Sequence, residues 1–446
     1  MRLTILGGGG FRVPLVYRAL LADHEPGRVT EVVLHDVDPD RLAAIGRVLA
    51  EQAAAAVDPP TVRTTGDLDE ALVGADFVFS AVRVGGLRGR TVDERIALRD
   101  GVLGQETVGA GGIAYGLRTI PVARHIAARM ADLAPDGWLI NFTNPAGMVT
   151  EAMSARLGDR VIGICDSPVG LGRRVAHALG VDPELARFDY VGLNHLGWLR
   201  GLYVGGRNQL PRLLADRAAL AAFEEGRLFG AEWLRVLGSV PNEYLHYYYF
   251  GREALVAATK AEYTRGEFLL GQQDNFYSDV LAADAGAFEA WDRTRLEREA
   301  TYLAEGRAAA GSGERDAADL DGGGYERIAL ALMRAIARNQ PTRLILNVRN
   351  RSTLRCVDEP SIVEVPCLVD GNGALPLATD QLGGAEAALV AAVKAVERLT
   401  IEAAVTGSRA AALRALASHP LVDSVNVAGR VLAGYLEKHE ELAYLR

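Results

Sequence analysis

The sequence predicts an α/β protein in which an N-terminal, doubly wound parallel sheet precedes a C-terminal α+β domain. Short apolar runs that end in glycine or a polar residue alternate with amphipathic stretches of helical length through the first part of the chain. This alternation is typical of parallel strands, because each return to the same edge of a sheet needs a crossover helix. Later apolar runs are rich in β-branched residues and stand between longer helices. We therefore expect two domains, residues 1–165 and 166–446.

Composition limits the classes of function. The 446 residues carry 48 Lys and Arg against 57 Asp and Glu, a net charge of -9 that argues against nonspecific nucleic-acid binding. Three cysteines, an odd and sparse number, fit a reducing cytoplasm without disulfides. The N-terminal stretch lacks the apolar core of a signal peptide, and no apolar run reaches the length of a membrane span. We expect a cytoplasmic protein that binds neither nucleic acid nor membrane.

The first predicted strand, residues 2–6, leads directly into the four glycines Gly7–Gly10, and Val13–Ala22 follows as a helix. A strand, a glycine turn and a helix N-terminus form the usual cradle for a dinucleotide pyrophosphate. A second strand ends at Asp36, where a carboxylate would meet the ribose hydroxyls of NAD. These features predict a Rossmann-like sheet. The third glycine of the usual pattern falls on Arg12, so an ordinary tight turn is the alternative.

Three further segments lie where the predicted strands end. A loop rich in arginine and glycine ends at Arg90 and is typical either of an anion site or of a solvated basic loop. Residues 101–116 contain six glycines, a backbone that a ligand can approach closely, and a helix is expected at Ile120–Ala134. Asn144 follows another strand, at the edge where open parallel sheets bind ligands, although a turn at the Asn-Pro pair explains it equally.

Two more apolar runs place a cysteine and a histidine at strand ends. Cys165 follows the run that begins at Val161, and His195 follows the run that begins at Tyr190. A thiolate and an imidazole suit a divalent metal such as manganese, iron, nickel or zinc. Two protein ligands would leave positions open for substrate and water. A buried cysteine and a satisfied core histidine are the alternative interpretation.

The second half of the chain adds two candidate features. Tyr244–Tyr249 is an aromatic cluster in which most rings should pack, while one phenol near a metal would act as a base. Arg265 is a further candidate anion partner. Residues 306–324 are rich in glycine and charge, which predicts a surface loop.

In this order, the segments resemble glycoside hydrolase family 4, the NAD- and metal-dependent glycosidases, and most of all its 6-phospho-β-glucosidase branch. The resemblance covers nearly the whole chain. This family is an exception to the paired-carboxylate chemistry that most glycosidases use. The matching stretches are the N-terminal Leu-Gly-Gly-Gly, Gly104-Gln-Glu-Thr, Asn141-Phe-Thr-Asn-Pro-Ala-Gly, Cys165-Asp-Ser-Pro, Gly192-Leu-Asn-His-Leu, Tyr244–Tyr248, Leu399-Thr-Ile-Glu-Ala and Ser418-His-Pro-Leu.

The resemblance implies a role for each candidate residue. Cys165 and His195 would bind the metal, usually manganese, and Tyr244 would be the base. Arg90 and Arg265 would hold a 6-phosphate, and Asn144 would contact sugar hydroxyls. Residues of the glycine turn and of the second strand would lie along NAD, namely Gly8, Gly9, Gly10, Phe11 and Asp36.

The implied reaction is hydrolysis that proceeds through a transient oxidation. Loss of a hydride from sugar C3 to NAD acidifies the C2 proton, and the metal spreads the resulting charge. The aglycone then leaves C1 by elimination, water adds, and return of the hydride regenerates NAD. The substrate would be a phosphorylated disaccharide or glucoside, and the family resemblance implies a homodimer or homotetramer.

Two positions depart from the pattern of the β branch. In the β branch, the residue after the metal cysteine is commonly asparagine. In the 6-phospho-α branch it is commonly aspartate, which serves as the acid for the leaving group. This chain has Asp166 at that position. Arg12 stands where hydroxyl residues are common, and either adds phosphate binding or indicates a different substrate. We expect a 6-phospho-β-glucosidase with Asp166 as a candidate acid. A 6-phospho-α-glucosidase, a malate-type NAD-dependent dehydrogenase and an NAD-sensing binding protein are the alternatives.

Overall fold

One 13-stranded sheet runs through the protein, as seen in a computed structural model that describes residues 1–302 and 324–446. The predicted loop at residues 306–324 lies outside these ranges except for its last residue. The strands are Arg2–Leu6 (β1), Glu31–His35 (β2), Thr61–Thr65 (β3), Phe77–Ser80 (β4), Trp138–Asn141 (β5), Val161–Gly163 (β6), Arg187–Leu193 (β7), Leu196–Val204 (β8), Arg207–Asn208 (β9), Val240–Pro241 (β10), Thr342–Arg349 (β11), Ile362–Asp370 (β12) and Gly373–Pro376 (β13).

Helices cover both faces of this sheet. The first seven are Val13–Leu21 (α1), Pro39–Ala53 (α2), Leu68–Leu72 (α3), Gly86–Arg99 (α4), Gly109–Leu133 (α5), Ala146–Leu157 (α6) and Ser167–Ala178 (α7). The next eight are Leu210–Ala215 (α8), Arg217–Ala221 (α9), Glu224–Phe229 (α10), Ala231–Leu237 (α11), His246–Tyr249 (α12), Gly251–Lys260 (α13), Arg265–Ala282 (α14) and Ala287–Ala300 (α15). The last four are Tyr325–Arg338 (α16), Gly384–Thr406 (α17), Arg409–Ser418 (α18) and Val425–Lys438 (α19). Within the described part of the chain, these helices include none with both the length and the apolarity that a membrane crossing requires.

The N-terminal half of the sheet is parallel and has the strand order β3-β2-β1-β4-β5-β6. This is the doubly wound order, in which the chain reverses direction between β1 and β4 and leaves a crevice beyond the carboxyl ends of the strands. The predicted Rossmann-like fold is therefore confirmed. The buried side chains of β1 and β2, such as Ile5 and Leu34, pack in the main core against α1 and α2.

The C-terminal strands extend the same sheet with mixed direction. Strand β11 pairs antiparallel with β6 at Asn347 and Gly163, and β12 pairs antiparallel with both β11 and β7. The two parts of the chain thus share one continuous sheet across residue 165. This continuity matters for the site, because β6 and the hairpin of β7 and β8 carry the candidate cysteine and histidine.

The glycine-rich segment differs from the sequence prediction. Helix α5 begins at Gly109 and passes through Pro121, so the predicted helix start at Ile120 is wrong. The physical reason is close packing, which overrides weak helix propensity. A Cβ on Gly111 would lie 2.1 Å from the Gln105 carbonyl oxygen, and one on Gly112 would lie 2.5 Å from the Thr107 carbonyl oxygen. The glycines therefore let the helix press against the preceding turn.

We predict that Gly112→Ala destabilises the protein, whereas Gly46→Ala in the middle of α2 does not. The new methyl group at position 112 meets rigid backbone, which should cost about 2 kcal/mol. At position 46 no heavy atom lies within 4 Å, and alanine should add about 0.5–1 kcal/mol of helix stability. Chemical denaturation of both variants measures the difference. Equal stabilities would contradict the close packing of α5.

Candidate active site

A cavity of about 1200 Å³ lies where the carboxyl ends of the parallel strands meet. This is the crevice in which doubly wound sheets bind ligands, and its volume exceeds what a single small ligand needs. Gly8 and Gly9 pack behind the surface of the cavity. The other predicted site residues all line it, namely Gly10, Phe11, Asp36, Arg90, Asn144, Cys165, Asp166, His195, Tyr244 and Arg265.

The glycine turn after β1 is held in place by close contacts that exclude larger residues. Gly7 has a φ of +81°, and a Cβ there would lie 2.6 Å from the Ala81 carbonyl oxygen. A Cβ on Gly9 would meet the Cβ of Arg41 at 2.7 Å. The backbone N–H of Gly9 donates a hydrogen bond to Asp36 Oδ2 at 3.0 Å. The carboxylate at the end of β2 thus fixes the turn.

His195 occupies the two-residue turn between β7 and β8, with a φ of +60°. Its Nδ1 lies 2.9 Å from Thr107 Oγ1, and its ring stacks on Tyr244 with 3.7 Å between centroids and 10° between planes. Burial lowers the pKa of His195 to about 3, so the imidazole is neutral at physiological pH. A neutral, clamped imidazole is the form that binds metals.

Cys165 lies two residues beyond β6, close to the start of α7, and its side chain is buried. Burial raises the pKa of the thiol well above its usual range, and the nearby Glu364 acts in the same direction. The backbone N–H of Ser167 opposes this shift by hydrogen bonding. Among the described residues, no group of three or more His, Cys, Asp and Glu side chains is arranged to hold a metal. Any metal here would have at most a sparse set of such ligands.

Tyr244 sits in a 3-10 turn at Glu243–Leu245, which the side chain of Asn242 caps through the Tyr244 backbone N–H. Its hydroxyl lies 3.1 Å from the hydroxyl of Tyr302. Burial raises the pKa of the Tyr244 phenol well above its usual range, and Glu243 adds to the effect. Deprotonation of this phenol therefore requires nearby positive charge.

Asp166 and Arg12 face each other across the cavity wall. Asp166 Oδ2 lies 3.9 Å from Arg12 Nη1. The Arg12 guanidinium also stands over two rings, 5.2 Å from the Tyr325 centroid and 5.8 Å from that of Phe142. These contacts hold Arg12 at the cavity by an ion pair and by cation–π attraction.

Arg90 also lines the cavity and contacts two carboxylates. Its Nε donates to Glu94 at 2.7 Å, and its Nη1 lies 2.7 Å from Glu106 Oε2. Glu106 also accepts from Arg83 at 2.9 Å. Burial opposes ionisation of Glu106, but Arg90 and Arg83 together lower its pKa to about 2. Arg90 is thus oriented by the protein itself.

Arg265 and Arg298 are cations that line the cavity where other arginines lie close by. Arg265 donates to Thr301 Oγ1 at 2.8 Å and to the carbonyl oxygen of Arg298 at 3.0 Å. Burial and the nearby Arg90 lower the pKa of Arg265 to about 10. Burial and Arg12 lower that of Arg298 to about 9. A bound anion would relieve this repulsion.

Sequence reasoning missed Arg298. The residue lies in α15, whose alternating charges are typical of a solvated helix face, so no local pattern distinguishes it. Asn144, in contrast, was predicted, and one of its polar atoms is left without a partner. Its Oδ1 is buried, and no donor among the described residues reaches it. A ligand hydroxyl would satisfy this oxygen.

Comparison with known proteins identifies the family. Residues 2–181 match the family 4 glycosyl hydrolases, and residues 190–422 match the C-terminal domain of the same family. The chain belongs to glycosyl hydrolase family 4. It is therefore an enzyme of a hydrolase family, in agreement with the resemblance found in the sequence.

Relatives within the family act on both anomers. The chain is 32% identical over 458 residues to a probable 6-phospho-beta-glucosidase of Bacillus subtilis, covering 100% of this chain and 97% of the relative. The Thermotoga maritima 6-phospho-beta glucosidase, solved with manganese, NAD+ and glucose-6-phosphate, shares 26% identity and a TM-score of 0.81, with 98% of each chain covered. A 6-phospho-alpha-glucosidase from gut microorganisms, solved with NAD and Mn2+, shares 25% identity and a TM-score of 0.80, covering 99% of this chain and 98% of the other.

We predict that Glu106→Gln destabilises the protein at neutral pH and that the effect shrinks in acid. A pKa lowered from 4.5 to about 2 corresponds to roughly 3 kcal/mol of stability. This stability is fully present above pH 4.5 and is lost as the pH falls toward 2. Thermal unfolding of the wild type and of Glu106→Gln, from pH 7 down to the lowest pH at which both fold, measures the difference in stability. The exposed Glu402→Gln is the control. If the stability difference between the wild type and Glu106→Gln does not become smaller in acid, the ion pairs of Glu106 with Arg83 and Arg90 are contradicted.

Proposed function

We propose that this family 4 enzyme hydrolyses 6-phospho-β-glucosides with NAD and manganese bound in the cavity. The observation that carries the proposal is the convergence of a thiol, an imidazole and a phenol on a cavity that begins at a glycine turn. Cys165, His195 and Tyr244 are the residues that provide these groups. Relatives of both anomeric types, solved with glucose-6-phosphate, support a phosphorylated glucoside as the substrate class.

The glycine turn fits NAD. Gly10 and Phe11 line the cavity directly, while Gly8 and Gly9 let the turn pack tightly against β2 and α2. The backbone N–H groups at the start of α1 would face the pyrophosphate. Asp36 accepts backbone hydrogen bonds on both carboxylate oxygens, from Gly9 on Oδ2 and from Asp38 on Oδ1. Each oxygen retains further lone pairs, which the ribose hydroxyls would use.

The pair of Cys165 and His195 fits manganese or another divalent metal. The buried thiol resists ionisation without a nearby cation, and a bound metal ion would reverse that preference. With two protein ligands, the remaining positions would take oxygens of the sugar. When bound, NAD takes up and returns a hydride, and the metal acts as a Lewis acid for the charge that develops on the sugar oxygens.

Tyr244 is the base that we assign to the C2 proton of the sugar. Its ring is held parallel to that of His195, so the phenol would lie near a metal that His195 binds. The cation of Arg90 interacts with Tyr244, and the hydroxyl of Tyr302 would donate to the phenolate. Both interactions favour the deprotonated phenol, but burial outweighs them, so a bound metal ion would have to supply the remaining positive charge. The proton from C2 would pass to the Tyr244 oxygen.

The sugar 6-phosphate would bind among the arginines. Arg265 and Arg298 have lowered pKa values, about 10 and about 9, because they are buried where positive charge is crowded. A phosphate is the anion that arginine clusters bind most specifically, through paired N–H donors. Arg90, which lies close to Gly266 beside Arg265, would contribute a further N–H. Asn144 Oδ1 would accept from a sugar hydroxyl.

A 6-phospho-α-glucosidase is the second candidate, and Asp166 favours it. Asp166 follows Cys165 and lines the cavity, where a carboxylic acid would protonate an α-linked leaving group. The carboxylate already has an ion-pair partner in Arg12, at 3.9 Å. We therefore assign Asp166 first to holding Arg12 and keep the β-glucoside as the proposed substrate.

Paired chromogenic glucosides test this proposal. We expect kcat/KM for the 6-phospho-β-glucoside to exceed that for the α-anomer and for the unphosphorylated β-glucoside by more than about tenfold, or 1.4 kcal/mol. NADH should not accumulate with turnover, because the hydride returns to the product. The assay contains manganese, NAD and a reductant that protects Cys165.

The matched variants are Arg298→Ala and Arg63→Ala. Loss of Arg298 should raise KM for the phosphorylated substrate and weaken the preference for phosphate. Arg63, a half-exposed residue on β3 paired with Glu31, should be replaceable without effect. Preference for the α-anomer would support the second candidate. Steady accumulation of NADH would support a dehydrogenase, and the absence of any turnover would support an NAD-binding protein.

A further inference from the structure

The side chain of Thr107 bridges His195 and Gln105. Its Oγ1 lies 2.9 Å from His195 Nδ1 and 3.1 Å from Gln105 Oε1. Gln105 Oε1 also accepts two backbone hydrogen bonds, from the N–H of Thr107 at 2.6 Å and from that of Val108 at 2.8 Å. Thr107 is itself buried, so these partners are not interchangeable with bulk water.

The direction of each hydrogen bond follows from a count of protons. Two backbone N–H donors face the same atom of Gln105, which identifies that atom as the amide oxygen. An amide oxygen only accepts, so the single hydroxyl proton of Thr107 must point to Gln105. Toward His195, Thr107 can then only accept. Nδ1 of His195 therefore carries a proton, and in the neutral imidazole Nε2 presents a lone pair.

We infer that Thr107, oriented by Gln105, selects the tautomer and the ring orientation of His195 that present Nε2 to the metal. This inference rests on the proposed metal site. Ligating histidines commonly donate their other ring N–H to a neighbouring acceptor, which fixes the tautomer and strengthens binding. Thr107 and Gln105 are positioning residues, since they act through His195. The acceptor in this chain is a hydroxyl whose own proton is committed elsewhere.

The turn that carries these residues has little freedom to move. A Cβ on Gly104 would lie 2.4 Å from the Glu94 carbonyl oxygen, and the glycines of α5 press on Gln105 and Thr107 from the other side. Glu106, between the two residues, is tied to Arg83 and Arg90. The ring of Tyr244 stacks on one face of the imidazole at 3.7 Å. The imidazole is thus held by an acceptor at its edge and by an aromatic ring on its face.

The direct test is the protonation of His195 in the metal-free full-length protein. A long-range 1H–15N spectrum of histidine-labelled protein separates protonated from unprotonated ring nitrogens, and His195→Gln identifies the signals of this residue. We expect a protonated Nδ1 and an unprotonated Nε2. A proton on Nε2 would overturn the inference, whether or not the enzyme is active.

Manganese binding tests the consequence of this arrangement. Titration of the free Mn2+ signal in electron paramagnetic resonance gives the dissociation constant for each protein. Thr107→Val removes the acceptor at nearly constant volume and should weaken binding about 10–100-fold. Thr107→Ser restores the hydroxyl and should bind nearly as the wild type does. The dissociation constant for NAD, expected to be unchanged in both variants, reports that the fold is intact.

The outcomes separate the inference from the proposed function. Wild-type affinity in Thr107→Val would overturn the positioning role while leaving the metal site in place. Equal loss in Thr107→Val and Thr107→Ser would also overturn it, because the hydroxyl would not be the relevant group. If the wild type binds no manganese, the proposed metal site fails, and the role of Thr107 toward a metal fails with it. In that case, the long-range 1H–15N spectrum still shows which ring nitrogen of His195 carries the proton.

Discussion

The close approach of α5 to the turn at residues 104–107 is the constraint on which the site depends. Glycines at the contact points leave no room for a Cβ, so the turn is fixed against α4 and α5 by steric exclusion. From this turn, Glu106 reaches the arginines and Thr107 reaches the histidine. One rigid segment therefore orients both the anion-binding side and the proposed metal side of the cavity. The C-terminal helices reinforce it, since α17 and α18 pack on α5 and α19 packs on α4.

The charged and ionisable groups of the cavity are arranged so that bound ligands would supply the opposite charges. Arg265 and Arg298 are crowded cations with lowered pKa values, and an anion would relieve them. Cys165 is a buried thiol with a raised pKa, and a cation would favour its ionised form. A phosphorylated sugar with a bound divalent metal supplies both charges at once. This complementarity would explain how an acidic protein, with a net charge of -9, keeps a local site for the proposed anionic substrate.

Sequence patterns predicted the parallel half of the sheet because its strands are short apolar runs with clear ends. They also predicted that Cys165 and His195 lie near each other, because residues that follow strands lie at the same edge of the sheet. The start of α5 was not predictable, because glycine content predicts a loop and only tertiary packing decides otherwise. Arg298 gave no signal, since its place in the cavity depends on how α15 crosses the fold. The role of Thr107 depends on the direction of hydrogen bonds, which sequence alone does not encode.

The proposed function depends on removal of the C2 proton of a 6-phospho-β-glucoside by Tyr244. Hydrolysis in heavy water, followed by NMR of the sugar product, tests this step most directly. The account predicts deuterium at C2 in the wild-type product, because the abstracted proton exchanges with solvent before the sugar is reprotonated. Tyr244→Phe should lose both turnover and exchange. A product that retains only protium at C2 would contradict the account.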